Sequence, residues 1–216
     1  MTMYGFWRST AAFRVRIALN LKGLPYEERM VDIDAGEQFT PDFLAKNPQG
    51  AVPAVFVDDG PPLTQSFSVL EYLDETHPEP PLMPKDARER ARVRAIALLF
   101  AADHHPLIVP RVRKYLGDKA GLDEAQRLDW VRHWLGEGLR IAEARLSGDP
   151  QTGRFCHGDT PTLADLCFIS HFMAAKVFSV ETSAFPTATR IAESCLAIEA
   201  FAAAQPLRQP GAPKPV

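Results

Sequence analysis

The chain has 216 residues, 46% of them apolar, and a formal charge of −3. That length and apolar content suffice for one large or two small globular domains, and the slightly acidic balance argues against a general binder of nucleic acid or of anionic membranes. Arg8 comes too early for a secretory apolar core, and no window approaches the roughly 18 apolar residues of a membrane span, so a cytosolic protein is expected. The three cysteines, Cys156, Cys167 and Cys195, fit neither a disulfide framework nor a zinc set, and reduced, buried side chains are expected.

Taken in order, Met3 to Trp7 reads as a first strand and residues 11–22 as a helix, with apolar side chains at Ala12, Val15, Ala18 and Leu19 and a stop at Gly23. Ser9 or Thr10 caps that helix. At such an end, unpaired N–H groups and the positive pole of the helix dipole can hold an anion or a thiolate, although an ordinary cap fits this stretch alone equally well. Tyr26 to Ile33 is a second strand, and strand–helix–strand over about thirty residues implies a parallel pair. Thr40 and Pro41 open a short helix that ends at Asn47-Pro48-Gln49-Gly50.

Ala51 to Val57 is a buried-strand pattern with Pro53 near its start, where a central strand would lose a ladder hydrogen bond, so a special turn is predicted there. Asp58-Asp59-Gly60 signals a hairpin and Leu63-Thr64 its return strand. Gln65-Ser66 stands before a helix carrying Phe67, Leu70 and Leu73, a second hydroxyl-capped start. The order is β-α-β-α-β-β-α, closing near residue 78. The stretch 79–85 belongs to a proline-rich linker, and everything from 86 to 216 is expected to be helical. Asp86-Ala87-Arg88-Glu89, Asp123-Glu124-Ala125-Gln126 and Thr162-Leu163-Ala164-Asp165 each read as a capped helix start, with Pro106 and Pro110 bending what lies between the first two. The helix after Thr162 is the most apolar and belongs at the centre of its domain. The tail from Gln205 carries four prolines and no periodicity, so a surface extension or a disordered end is expected.

With those residues in place, the chain resembles the cytosolic glutathione transferases over essentially its whole length. The stretch Trp7-Arg8-Ser9-Thr10-Ala11-Ala12-Phe13-Arg14-Val15-Arg16-Ile17-Ala18-Leu19 is similar to the signature of the zeta class, whose best-known members are maleylacetoacetate and maleylpyruvate isomerases. Asn47-Pro48, Val52-Pro53 and Gln65-Ser66 fall where that class has them. The resemblance implies an α/β plus all-α architecture: a thioredoxin-like N-terminal domain (1–78) that binds glutathione, and an all-helical C-terminal domain (86–216) that binds substrate. It also implies a homodimer and no metal.

Residue by residue, it implies Ser9, with Thr10 beside it, as the catalytic hydroxyl that hydrogen-bonds the glutathione sulfur. A thiol with a pKa of about 8.5 is only a few per cent thiolate at neutral pH, and lowering it by about two units is worth about 2.7 kcal/mol. One hydroxyl and a helix terminus, at about 1 kcal/mol each, supply much of that. Val52 and Pro53, the latter in cis, pair with the cysteinyl part of glutathione. Gln65 and Ser66 hold the γ-glutamyl carboxylate, Gln38 reaches the glycyl end, and His105 contacts glutathione or substrate. Arg8 and Arg111 are the expected cations for the carboxylates of a small electrophile.

The departures bear on chemistry. Ala11 stands where the motif has cysteine, so the sulfur has to come from glutathione. Val109 replaces an expected asparagine, and Lys176-Val177 stands where bacterial maleylpyruvate isomerases carry an arginine pair. Adjacent His104 and His105 face different ways on a helix and do not suggest a shared metal. Three functions follow. The first is a glutathione-dependent cis–trans isomerase. The second is a transferase that conjugates or dehalogenates small electrophiles such as α-halo acids, and the third is a noncatalytic glutathione-fold binding protein.

Overall fold

Helix α1 (Thr10–Leu21) is the element on which the first part of the chain is built. Every residue from Ala11 to Leu19 is buried, including Arg14 and Arg16, so this helix is enclosed on all sides and has no solvent face along most of its length. The computed structural model describes residues 1–213. It divides into two compact units, residues 1–81 with the segment from Ile198 onward, and residues 82–197.

In the first unit a four-stranded sheet has the order β2-β1-β3-β4, with β1 at Thr2–Gly5, β2 at Glu27–Met30, β3 at Ala54–Phe56 and β4 at Leu63–Thr64. β1 and β2 run parallel, Met3 opposite Glu28, as the intervening helix requires. β3 runs antiparallel to both β1 and β4, with Met3 opposite Val55 and Val55 opposite Leu63. The short helix α2 (Pro41–Leu44) precedes β3, and α3 (Ser66–Thr76) follows β4 and packs on α1. This is the expected thioredoxin-like arrangement, with shorter strands: β2 covers only four residues of the Tyr26–Ile33 stretch.

Two expectations need correction here. Ser66 is not the cap of α3: Gln65 occupies that position, and Ser66 is the first helical residue. The tail is also more ordered than a featureless extension. Helix α10 (Glu199–Ala203) packs on α1, Asn20 Nδ2 donates to Ala200 O at 3.0 Å, and Pro206–Arg208 forms a 3₁₀ turn. Phe201 is fully buried, which is why this segment belongs with the first unit and not with the helices that precede it. The last residues of the tail, 214–216, lie outside the described part.

The second unit begins inside the proline-rich stretch, where Leu82 and Met83 are buried and Leu82 O accepts the Leu163 N–H at 3.0 Å. Its helices are α4 (Ala87–Leu98), α5 (His105–Ile108), α6 (Pro110–Ala120), α7 (Glu124–Leu146), α8 (Leu163–Val177) and α9 (Pro186–Leu196). α8 lies at the centre, buried continuously from Leu163 to Phe172 and packed by α4, α7 and α9. Pro106 has no N–H for the carbonyl four residues back, and the chain ahead of it widens into a π-helical stretch, Leu99–His104. Asp86 and Asp123 cap as read from the sequence, Asp123 with Gln126 as a reciprocal box.

Candidate active site

Ser9 sits where β1 turns into α1. Its backbone N–H donates to Phe6 O at 2.9 Å, closing the turn, and its hydroxyl oxygen accepts the Ala12 N–H at 3.2 Å. It is the cap of α1. The side chain is half-buried, and because Ala12 uses only a lone pair, the hydroxyl proton is left to donate outward. The first turn of α1 carries no acidic side chain, so the positive end of the helix dipole at Ser9 is not offset. Thr10, the first helical residue, is half-buried beside it. Ala11 is buried, and Cys156, Cys167 and Cys195 are buried in the other unit. Burial pushes the Cys156 and Cys195 thiols well above their ordinary range, so neither supplies a thiolate.

A second helix start lies in the same unit. The Val52–Pro53 peptide bond is cis, ahead of β3. Asn47, 2% exposed, shapes the loop before it: its Nδ2 donates to Ala51 O at 2.7 Å and its Oδ1 accepts the Gln49 N–H at 3.1 Å. Gln65 has φ +64°, a conformation that favours glycine, and its Nε2 donates to Gln49 Oε1 at 3.2 Å. Ser66 is buried, and its hydroxyl accepts from Arg14 Nη1 at 3.2 Å. Arg14 thus ties α1 to the start of α3.

Gln38, in the loop before α2, is 7% exposed. Its Nε2 donates to Ile33 O at 3.2 Å, while Oε1 is a buried acceptor with no hydrogen-bond partner in the protein. Such an orphaned atom costs free energy unless a donor reaches it. Arg8 is exposed; its Nη2 donates to Asp34, and its guanidinium lies over the rings of Phe6 and Trp7, 5.6 and 6.0 Å from their centroids.

The first unit therefore carries Arg8, Ser9, Thr10, Gln38, Val52, Pro53, Gln65 and Ser66, whereas His105 and Arg111 belong to the second. There His105 is half-buried on α5 and Arg111 exposed on α6. Two open depressions on that unit, of about 300 and 420 Å³, are lined by other residues. His104 is buried against Trp134 and His171. Among the described residues no three His, Cys, Asp or Glu side chains gather as a metal site. Lys176 Nζ donates to Thr182 Oγ1 at 3.3 Å.

The sequence reading missed the two buried arginines that support the site. Arg14 and Arg16 look like solvent-facing helix residues, but their neighbours Phe13, Val15 and Ile17 are apolar on every side, and that is the signal of an enclosed helix.

The family model for the N-terminal domain of glutathione S-transferases matches residues 8–76. The maleylacetoacetate isomerase of Pseudomonas aeruginosa PAO1 is 43% identical over 215 residues, 99% of each chain. A holo structure of a maleylpyruvate isomerase, described as a bacterial glutathione transferase of the zeta class, is 40% identical with a TM-score of 0.95, covering 99% of this chain and all of that one. The chain belongs to the zeta-class glutathione transferases. A further member, the maleylacetoacetate isomerase of Methylobacterium extorquens AM1, solved with malonate and glutathione bound, is 55% identical with a TM-score of 0.97 over 99% of this zeta-class chain and all of its own.

Proposed function

We propose that this zeta-class transferase is a glutathione-dependent cis–trans isomerase of maleylacetoacetate or maleylpyruvate, a homodimer acting in the cytosol. The observation that carries the reading is Ser9, a cap hydroxyl whose oxygen accepts a helix N–H and whose proton is available, at a helix start with no protein cysteine. The residues fit glutathione on their own chemistry, since Gln38 Oε1 lacks a donor and two helix N-termini carry no acid in their first turns. The relatives' names and bound ligands favour the same chemistry. When bound, glutathione supplies a sulfur nucleophile that adds reversibly to the double bond conjugated with the substrate carbonyl, which frees that bond to rotate.

Ser9 donates to the sulfur and favours its thiolate, with Thr10 and the α1 terminus beside it. The Val52 backbone, exposed by the cis Pro53, pairs with the cysteinyl unit. Gln65, Ser66 and the N–H groups opening α3 hold the γ-glutamyl carboxylate, and Gln38 takes an N–H from the glycyl end. Arg8 leaves Asp34 for a substrate carboxylate. Arg111 is assigned to a substrate carboxylate as well, and His105 to glutathione or substrate. The same thiolate site serves conjugation of small electrophiles; Lys176, held to Thr182 where related isomerases have arginine, favours that second reading.

Ser9→Ala tests the assignment. Removing a hydrogen bond to a charged group costs about 1.5–3 kcal/mol, so kcat/KM for maleylpyruvate isomerisation should fall about 10- to 100-fold in steady-state assays. Turnover equal to that of the unsubstituted enzyme would contradict the role given to Ser9.

A further inference from the structure

Behind the Ser9 turn stand three residues that none of the site roles above uses: Gly5, Glu28 and Arg16. Arg16 is a fully buried guanidinium on α1. It meets the Glu28 carboxylate of β2 as a fork, Nε to Oε2 at 2.8 Å and Nη2 to Oε1 at 2.6 Å. The same guanidinium donates from Nη2 to Phe6 O at 2.9 Å and from Nη1 to Trp7 O at 3.3 Å. Phe6 O is also the acceptor of the Ser9 N–H. The carbonyls of the turn that aims Ser9 are therefore held by one buried cation. Gly5 makes room for the arrangement: a Cβ at this position would lie 2.2 Å from Glu28 Oε1.

A buried ion pair is a poor device for stability alone, because desolvating both charges is expensive and apolar residues of similar volume do as well or better. What apolar residues cannot do is donate to two successive carbonyls while a carboxylate fixes the donor's plane. A planar guanidinium with five donors does both; a lysine does not. We infer that Arg16, oriented by Glu28 over Gly5, is a positioning residue for the thiolate site, acting through the Phe6 and Trp7 carbonyls on the Ser9 hydroxyl. This rests on the proposal that Ser9 hydrogen-bonds the glutathione sulfur. Because the γ-glutamyl, cysteinyl and glycyl contacts are assigned to other elements, loosening the turn raises the pKa of the bound thiol more than it weakens glutathione binding.

The test is a pH titration of the ultraviolet thiolate absorbance of bound glutathione, with its affinity and the melting temperature measured alongside. The full-length chain is compared with its Ser9→Ala, Arg16→Lys and Glu28→Gln variants. Arg16→Lys and Glu28→Gln should each raise the bound thiol pKa by about half a unit or more, about a threefold loss of thiolate below that pKa, with glutathione affinity changed by no more than about threefold. Glu28→Gln is the sharper probe, since losing a negative charge by itself lowers a thiol pKa and only lost positioning raises it. It also keeps the side-chain volume, so it carries the test if Arg16→Lys does not fold. A folded Glu28→Gln with an unchanged or lowered thiol pKa, while Ser9→Ala raises it, overturns the role of Arg16 and leaves Ser9 standing. An unchanged thiol pKa in Ser9→Ala overturns the Ser9 assignment itself.

Discussion

Gln65 shows most plainly how single residues of this site trade stability for position. Its φ of +64° suits glycine, and a side chain held there costs about 1–3 kcal/mol. Its amide bonds only Gln49, which does not account for keeping a side chain in that conformation. Gln65→Gly should therefore leave the melting temperature unchanged or slightly higher while weakening glutathione binding several-fold, as calorimetric titration and thermal melts will report. A parallel fall in both would mean that Gln65 is structural. At this scale the sequence was legible in part. A hydroxyl directly after an apolar run marked Ser9 as a cap, and Pro53 before β3 marked a special turn. The one-residue offset at Gln65-Ser66 was not visible, because both residue types are compatible with a helix start and only the backbone dihedral distinguishes them. Arg14 and Arg16 were read as part of a motif without a structural role. Their partners Ser66 and Glu28 lie 52 and 12 residues away, beyond the reach of local periodicity.

Among the elements, cap chemistry carried the reading furthest. Asp86 and Asp123 each accept N–H groups of the following turn, and the start of α8 is held by Asp165, whose Oδ2 accepts both the N–H and the hydroxyl of Thr162 at 2.8 and 2.9 Å. Cap residues act within one turn, so their partners are adjacent in sequence and readable from it. Contacts between elements were not readable. Arg92 on α4 reaches the α7–α8 connection, donating to Asp149 Oδ2 from Nη2 at 2.9 Å, to Thr152 Oγ1 at 3.0 Å and to Cys156 O at 2.8 Å. The Gln151 N–H and Arg92 hold the Asp149 carboxyl below its ordinary value of 3.8. A depressed folded-state pKa contributes stability that is present above 3.8 and is lost as pH falls through the lowered value. Asp149→Asn should thus melt at a lower temperature near neutrality and lose the part of the acid-limb pH dependence that Asp149 supplies. Parallel pH–melting curves for the two proteins would contradict this.

For the molecule as a whole, the sequence supplied the two-part character, because a change from mixed strand and helix patterns to helix alone at a run of prolines is a compositional signal. It did not supply the return of the chain from Ile198 to the first unit, which depends on Phe201 finding the surface of α1. Phe201→Ala should cost about 3–5 kcal/mol in denaturant unfolding, and the loss should appear in the unit that carries Ser9, with glutathione affinity falling in step. If glutathione affinity is untouched at equal destabilisation, α10 does not support the site. The chemistry assigned to the chain makes glutathione catalytic: the sulfur adds, the double bond rotates and the sulfur leaves, so none is consumed. The most direct measurement is the isomerisation of maleylpyruvate and maleylacetoacetate with and without glutathione, with free thiol assayed at the end. The account predicts trans product only when glutathione is present and full recovery of the thiol. Product formed at the same rate without glutathione, or thiol lost mole for mole, would contradict it.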